Sequence, residues 1–152
     1  MMKNYLYVVA VMLIVLAGCG DAASNKETTH MTRQVDDFDI DVIVEESPTA
    51  YATITYTGED ETQNIEHGGS IFLFNLYDEH GKREYVDAMT EQLVTTTLEQ
   101  NKALRVDFTQ LSNLELKKGR YTLEVIADFW LPVESLETID RPITMDIFID
   151  IP

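Results

Sequence analysis

Cysteine is all but absent from this sequence, one residue in 152, at position 19. A single cysteine excludes an internal disulfide and leaves nothing for a Cys-rich zinc site. Positive charge is scarce too: 11 Lys and Arg stand against 27 Asp and Glu, for a formal net charge of −16. Binding to nucleic acid requires Lys and Arg to neutralise phosphates, so this surface excludes it as a partner. Anionic lipid headgroups are repelled in the same way, and membrane contact has to come from something other than surface charge. Only three histidines occur, at 30, 67 and 80, and none has a His partner two or four residues away to preset a metal site. No Gly-x-Ser-x-Gly is found, and no thiol remains beside Cys19 for nucleophilic catalysis. The expectation is a non-enzymatic protein without cofactor or metal. What remains is ordinary: 45% hydrophobic and 25% charged residues, enough for the core of one domain.

The sole long apolar run lies at the start. After Lys3, residues 5–17 (YLYVVAVMLIVLA) carry no charge. That run falls short of the roughly 20 residues a membrane-spanning helix needs, and fits the apolar segment of a secretory signal. It ends in Leu16-Ala17-Gly18-Cys19, an aliphatic residue, two small ones and Cys. This pattern resembles the lipobox of bacterial lipoproteins. The resemblance implies a helical signal peptide over 1–18, cleavage between Gly18 and Cys19, and acylation of Cys19. The protein would then be extracytoplasmic and held to the bacterial cell membrane by lipid. Each buried acyl CH₂ contributes roughly 0.8 kcal/mol, and two or three chains anchor stably. Cleavage would also remove Lys3, leaving 10 basic against 27 acidic residues, a net of −17. Residues 19–34, polar and without hydrophobic period after the Cys, read as a flexible tether.

From Val35 to the end the dominant period is two. Phe38, Ile40, Val42 and Val44 alternate with acidic residues, and Ala50, Ala52, Ile54 and Tyr56 with Thr and Tyr. Residues 58–64 read as a polar connection, and 70–77 as a central strand apolar on both faces. A turn at 78–81 places Gly81 where positive φ is needed. Residues 83–88, 93–98, 104–108, 121–127 and 145–151 supply further strand candidates, with a break near Thr90. Residues 91–98 are ambiguous, though three threonines favour strand. The fold class is all-β: an antiparallel sandwich of seven or eight strands over 35–152.

Leu116-Lys117-Lys118-Gly119-Arg120-Tyr121 has the Leu-x-x-Gly-x-Tyr form of a tyrosine corner, in which the Tyr hydroxyl bonds back to the backbone at the entry to strand F. An ordinary turn before a core tyrosine is the other reading of Leu116, Gly119 and Tyr121. Residues 41–127 resemble the bacterial immunoglobulin-like domains grouped with the Bacillus intracellular proteinase inhibitor. The resemblance implies an immunoglobulin-like sandwich. The turn at 97–102 lacks the Pro-Gly usual in that group, so no inhibitory loop or reactive residue is assigned.

Two acidic clusters stand out, at 36–41 and 59–61. They lack the Asp-x-Asp-x-Asp-Gly loop that wraps calcium, and a solvated acidic face is the simpler account. Phe129-Trp130-Leu131-Pro132 follows the strand F candidate and enters a long connection. Trp is enriched at interface hot spots, so Phe129, Trp130 and Leu131 are candidate partner contacts, or else they close the end of the core. The function expected is a membrane-tethered interaction module for a protein or envelope partner, with charge favouring a basic one. The alternative, from the family resemblance, is a protease inhibitor.

Overall fold

The computed structural model describes residues 28–45, 49–132 and 142–152. The expected signal, Gly18 and Cys19 lie outside them, as does 133–141 of the connection after Trp130. Nine strands run in order: β1 (Thr29–Val35), β2 (Phe38–Glu45), β3 (Thr49–Tyr56), β4 (Thr62–Tyr77), β5 (Arg83–Val86), β6 (Val94–Glu99), β7 (Ala103–Asp107), β8 (Gly119–Trp130) and β9 (Ile143–Ile151). A single 3-10 turn spans Leu111–Asn113, and no α-helix occurs among the described residues.

Two antiparallel sheets form a sandwich, one in the order β1-β2-β3-β7, the other β5-β4-β8-β9 with β6 also on β4. In immunoglobulin lettering, β2, β3 and β7 stand as A, B and E, and β5, β4, β8 and β9 as C′, C, F and G. The alternation of the sequence builds the core directly. Phe38, Ile40, Val42 and Val44 point inward from β2, and Leu123, Val125, Ala127 and Phe129 meet them from β8. With no disulfide among the described residues, burial holds the sandwich, each fully buried Leu, Ile or Phe contributing roughly 1.5–3 kcal/mol.

Three expectations are corrected. The expected tether at 19–34 is too long, because its last residues form β1, an edge strand paired along β2 from Thr29↔Val44 to Val35↔Phe38. A two-residue turn at Asp36 and Asp37 makes this hairpin possible, with Asp36 at φ 50°, a conformation Asp tolerates better than most residues. The expected connection at 58–64 is strand from Thr62, since β4 runs 16 residues, pairing β6 with its first part and β8 with its last. The strand F candidate continues through Phe129 and Trp130, which are ladder residues rather than loop. The nine strands among the described residues are β1 and the eight, β2 to β9, that fall within the expected span of 35–152.

The registers define two ends. At one end lie the Asp36-Asp37 turn, the loop 57–61 and the end of β8: Thr57 N–H donates to the Asp37 carbonyl at 2.8 Å, and Phe38 packs edge-on against Phe129. At the other lie Thr29 and the start of β1, the β4–β5 turn at 78–82, and the segment 109–118 that enters β8. The described chain therefore enters at the same end as the Leu-x-x-Gly-x-Tyr motif.

Candidate functional site

The outer face of the β5-β4-β8-β9 sheet carries the candidate site. Strand register stacks side chains in rows across it: Tyr77, Thr122 and Phe148 in one, Asn75, Glu124 and Asp146 in the next. Asn75 is only 8% exposed although it faces outward. Its amide donates to Glu124 Oε1 at 2.7 Å, and its carbonyl oxygen accepts the Asp87 backbone N–H at 3.1 Å. The Tyr77 hydroxyl donates to the same Glu124 oxygen at 3.1 Å. Burial, and then that bond to Glu124, push the Tyr77 phenol up from its ordinary value, so the ring remains a donor. Two donors thus fix the Glu124 carboxylate in place. Asp146 stands directly across the strand pair from it, a like charge without an ion-pair partner among the described residues.

A cleft of about 460 Å³ opens here between the carboxylates and the Phe148 ring, closed on its far side by Arg120 and the β4–β5 turn. Phe148 is 60% exposed. The Arg120 guanidinium sits 5.6 Å over that ring and binds both oxygens of Asp150, at 2.9 and 3.0 Å. That pairing raises the Arg120 pKa and holds Asp150 below the ordinary carboxylate value. Two carboxylates beside an exposed aromatic face suit an ammonium or guanidinium group, which each attracts.

The opposite sheet presents a mostly polar outer face. Asp41 accepts from Thr32 at 2.6 Å and pairs with His30 at 2.9 Å, and Arg105 stacks on the Tyr51 ring. His67 is buried, its ring bonded to the Gly68 carbonyl and the Thr96 hydroxyl. His80 lies beside Glu79 in the β4–β5 turn. Among the described residues, no group of three or more His, Cys, Asp and Glu is arranged to hold a metal ion.

The residues singled out from sequence fall in three places. Tyr121 donates to the Lys117 carbonyl at 2.9 Å, the bond of a tyrosine corner, with Leu116 packed on the core and Gly119 at φ 155°. Phe129 is 1% exposed and serves the core, which removes it as a partner contact. Trp130 is half-buried and its indole N–H donates to Glu66 at 2.7 Å; Leu131 packs on the core edge. The two acidic clusters converge at the end remote from Thr29, joined through the Asp37–Thr57 bond and the Tyr56 hydroxyl, which accepts the Asp60 N–H. Sequence reasoning missed Tyr77, Glu124, Asp146 and Phe148. Alternation marks Glu124, Asp146 and Phe148 as outward but not Tyr77, and only the register of three distant strands brings the four together.

No family model matches the chain, and no curated protein does. A solved structure titled as an X-ray structure of Northeast Structural Genomics Consortium target SoR45 is similar over 78% of this chain and 81% of its own, at 15% identity and a TM-score of 0.30. At that distance the likeness says nothing of function.

Proposed function

We propose that this protein is a lipid-anchored, extracytoplasmic, non-enzymatic binding module that takes a basic group of a protein or envelope partner into the Glu124–Asp146–Phe148 cleft. The observation that carries the reading is Phe148, a large aromatic left 60% exposed beside two carboxylates, one of them held rigid by Asn75 and Tyr77. Preorganised acceptors next to an aromatic lower the ordering cost of binding a cation. The cleft supplies acceptors and an aromatic surface for a bound cation. Anchoring rests on the run at 5–17 and the Leu16-Ala17-Gly18-Cys19 pattern, which resemble a lipoprotein signal.

The test has two readouts. Intact-mass measurement of the membrane-extracted protein is expected to give a chain starting at Cys19 with acyl mass, lost in Cys19→Ala. Envelope pull-downs are expected to recover a partner with wild type at moderate salt and to lose it, by about tenfold, with Asp146→Asn or Phe148→Ala. Equal recovery by all three proteins overturns the cleft as the binding site.

A further inference from the structure

Eight Lys and Arg occur among the described residues, and their partners divide them sharply. Lys82, Lys102, Arg105 and Arg120 pair with Glu84, Glu99, Asp107 and Asp150. Arg33 donates to the Thr144 carbonyl at 3.2 Å, bridging the edges of the two sheets. Arg83, Lys117 and Lys118 have no ion-pair partner among the described residues. In a chain so rich in carboxylates that is unexpected, and all three lie at one end of the sandwich. Lys117 and Lys118 sit in the tyrosine corner, Arg83 opens β5, and the 78–82 turn and the 115–121 segment line one shared groove.

That end is where the described chain enters. Thr29 pairs with Val44 at the foot of β2, while Asp36, Asp37, Glu59, Asp60 and Glu61 gather at the opposite end. At the entry end the three free cations stand against Glu45, Asp78, Glu79 and Glu115, close to balance; at the far end no free Lys or Arg offsets the five carboxylates among the described residues. The fold therefore sorts charge along its long axis, from nearly balanced at the entry to acidic at the far end. Because β1 consumes part of the expected tether, only residues 20–28 separate Cys19 from the sandwich. Nine residues span at most about 30 Å, so an anchor at Cys19 keeps the entry end close to the bilayer.

We infer that the domain stands end-on over an anionic leaflet, with Arg83, Lys117 and Lys118 toward the lipid headgroups and the five-carboxylate end outward. The inference rests on the lipid-anchored reading. An anionic surface attracts nearby Lys and Arg and repels carboxylates, within a Debye length of about 10 Å at 0.1 M salt. A domain whose entry end is nearly balanced and whose far end is strongly acidic experiences that field as a torque. The cleft at Phe148 then opens sideways, near the membrane, where a membrane-bound partner can reach it.

The test uses the full lipidated protein in vesicles carrying nitroxide-headgroup lipid. Acylation blocks the Cys19 thiol, so Ser112→Cys at the entry end and Thr62→Cys at the far end each give one labelling site without altering charge; both positions are exposed. On vesicles of phosphatidylcholine with phosphatidylglycerol, a fluorophore at 112 is expected to be quenched at least about twofold more than one at 62. The Lys117→Glu/Lys118→Glu double variant is expected to erase most of that difference, and so is salt at about 0.5 M. Equal quenching at the two positions, or stronger quenching at 62, overturns the orientation while acyl mass on Cys19 leaves the anchor standing. Absence of acyl mass removes anchor and orientation together.

Discussion

The Tyr121 hydroxyl donates to the carbonyl of Lys117, four residues upstream, at 2.9 Å. The bond ties the entry of β8 to the segment before it and holds Lys117 and Lys118 at the rim of the sandwich. The Tyr121→Phe variant keeps the ring, which is 7% exposed, and loses only this bond. The freed carbonyl is near solvent and finds water, so the expected loss is about 1 kcal/mol. Urea unfolding checks it: the midpoint falls while the slope stays the same.

That corner was legible in the sequence because all its parts lie within six residues. The same holds for β2, β3, β8 and β9, whose alternation is set by local side chains. β1 was not legible: its inward positions are Met31, Arg33 and Val35, and an inward charge breaks the apolar period. Arg33 at an edge strand is a charge that blunts unwanted pairing, and it hid the strand for the same reason. The first part of β4 was hidden by Gln63, Asn64, Glu66 and His67, polar residues of which the last three bond to Thr97, Trp130 and Thr96, far along the chain on β6 and β8. The cleft was illegible for the plainest reason, since Tyr77, Glu124 and Asp146 meet only through registers that no local pattern encodes.

The pairing of β4 with β8 shifts register between His67 and Phe72. Gly68 and Gly69 sit there, under the loop that joins β5 to β6. A Cβ on Gly69 would lie 2.1 Å from Thr90 Oγ1, and one on Gly68 3.2 Å from the Thr90 carbonyl. Gly69→Ala is expected to cost about 1–3 kcal/mol, because the loop must lift or Thr90 must rotate. In a Thr90→Ala background the clashing oxygen is gone, and the same substitution is expected to cost less than half as much. A double-mutant cycle by urea unfolding measures the coupling. Additive costs would mean that Gly69 is required for its backbone rather than for the close approach.

Asp78 ties the β4–β5 turn: its carboxylate accepts the backbone N–H groups of His80 at 2.9 Å and Lys82 at 2.8 Å. The bond from Lys82, more than that from His80, lowers its pKa from the ordinary 3.8. A carboxyl lowered on folding stabilises the native state above its unfolded pKa, and that contribution is lost as pH falls through the lowered folded value. Thermal melting followed from pH 6 down to about pH 2 is expected to show a drop below about pH 4 that Asp78→Ala reduces. At pH 6 the variant is expected to melt lower than wild type, and at about pH 2 the two are expected to converge. Parallel curves across the whole range would show that this carboxylate does not report folding.

Two phenylalanines separate core from cleft. Phe129 is 1% exposed and packs edge-on against Phe38, with ring centres 5.2 Å apart; Phe148 points outward from β9 beside Thr122, with the Arg120 head over its ring. Removing the first leaves a cavity between the sheets, so Phe129→Ala is expected to cost about 3–5 kcal/mol. Phe148 is 60% exposed and its removal uncovers far less surface, so Phe148→Ala is expected to cost about 1 kcal/mol or less. Binding is expected to divide the other way. A folded Phe148→Ala protein should lose partner recovery, whereas any Phe129→Ala protein that remains folded should keep it. Urea unfolding and envelope pull-down on the same preparations check both halves. A Phe148→Ala protein that is stable and binds fully would move the site off this face, leaving the half-buried Trp130 and Leu131 at the acidic end as the aromatic and apolar groups for a partner to meet.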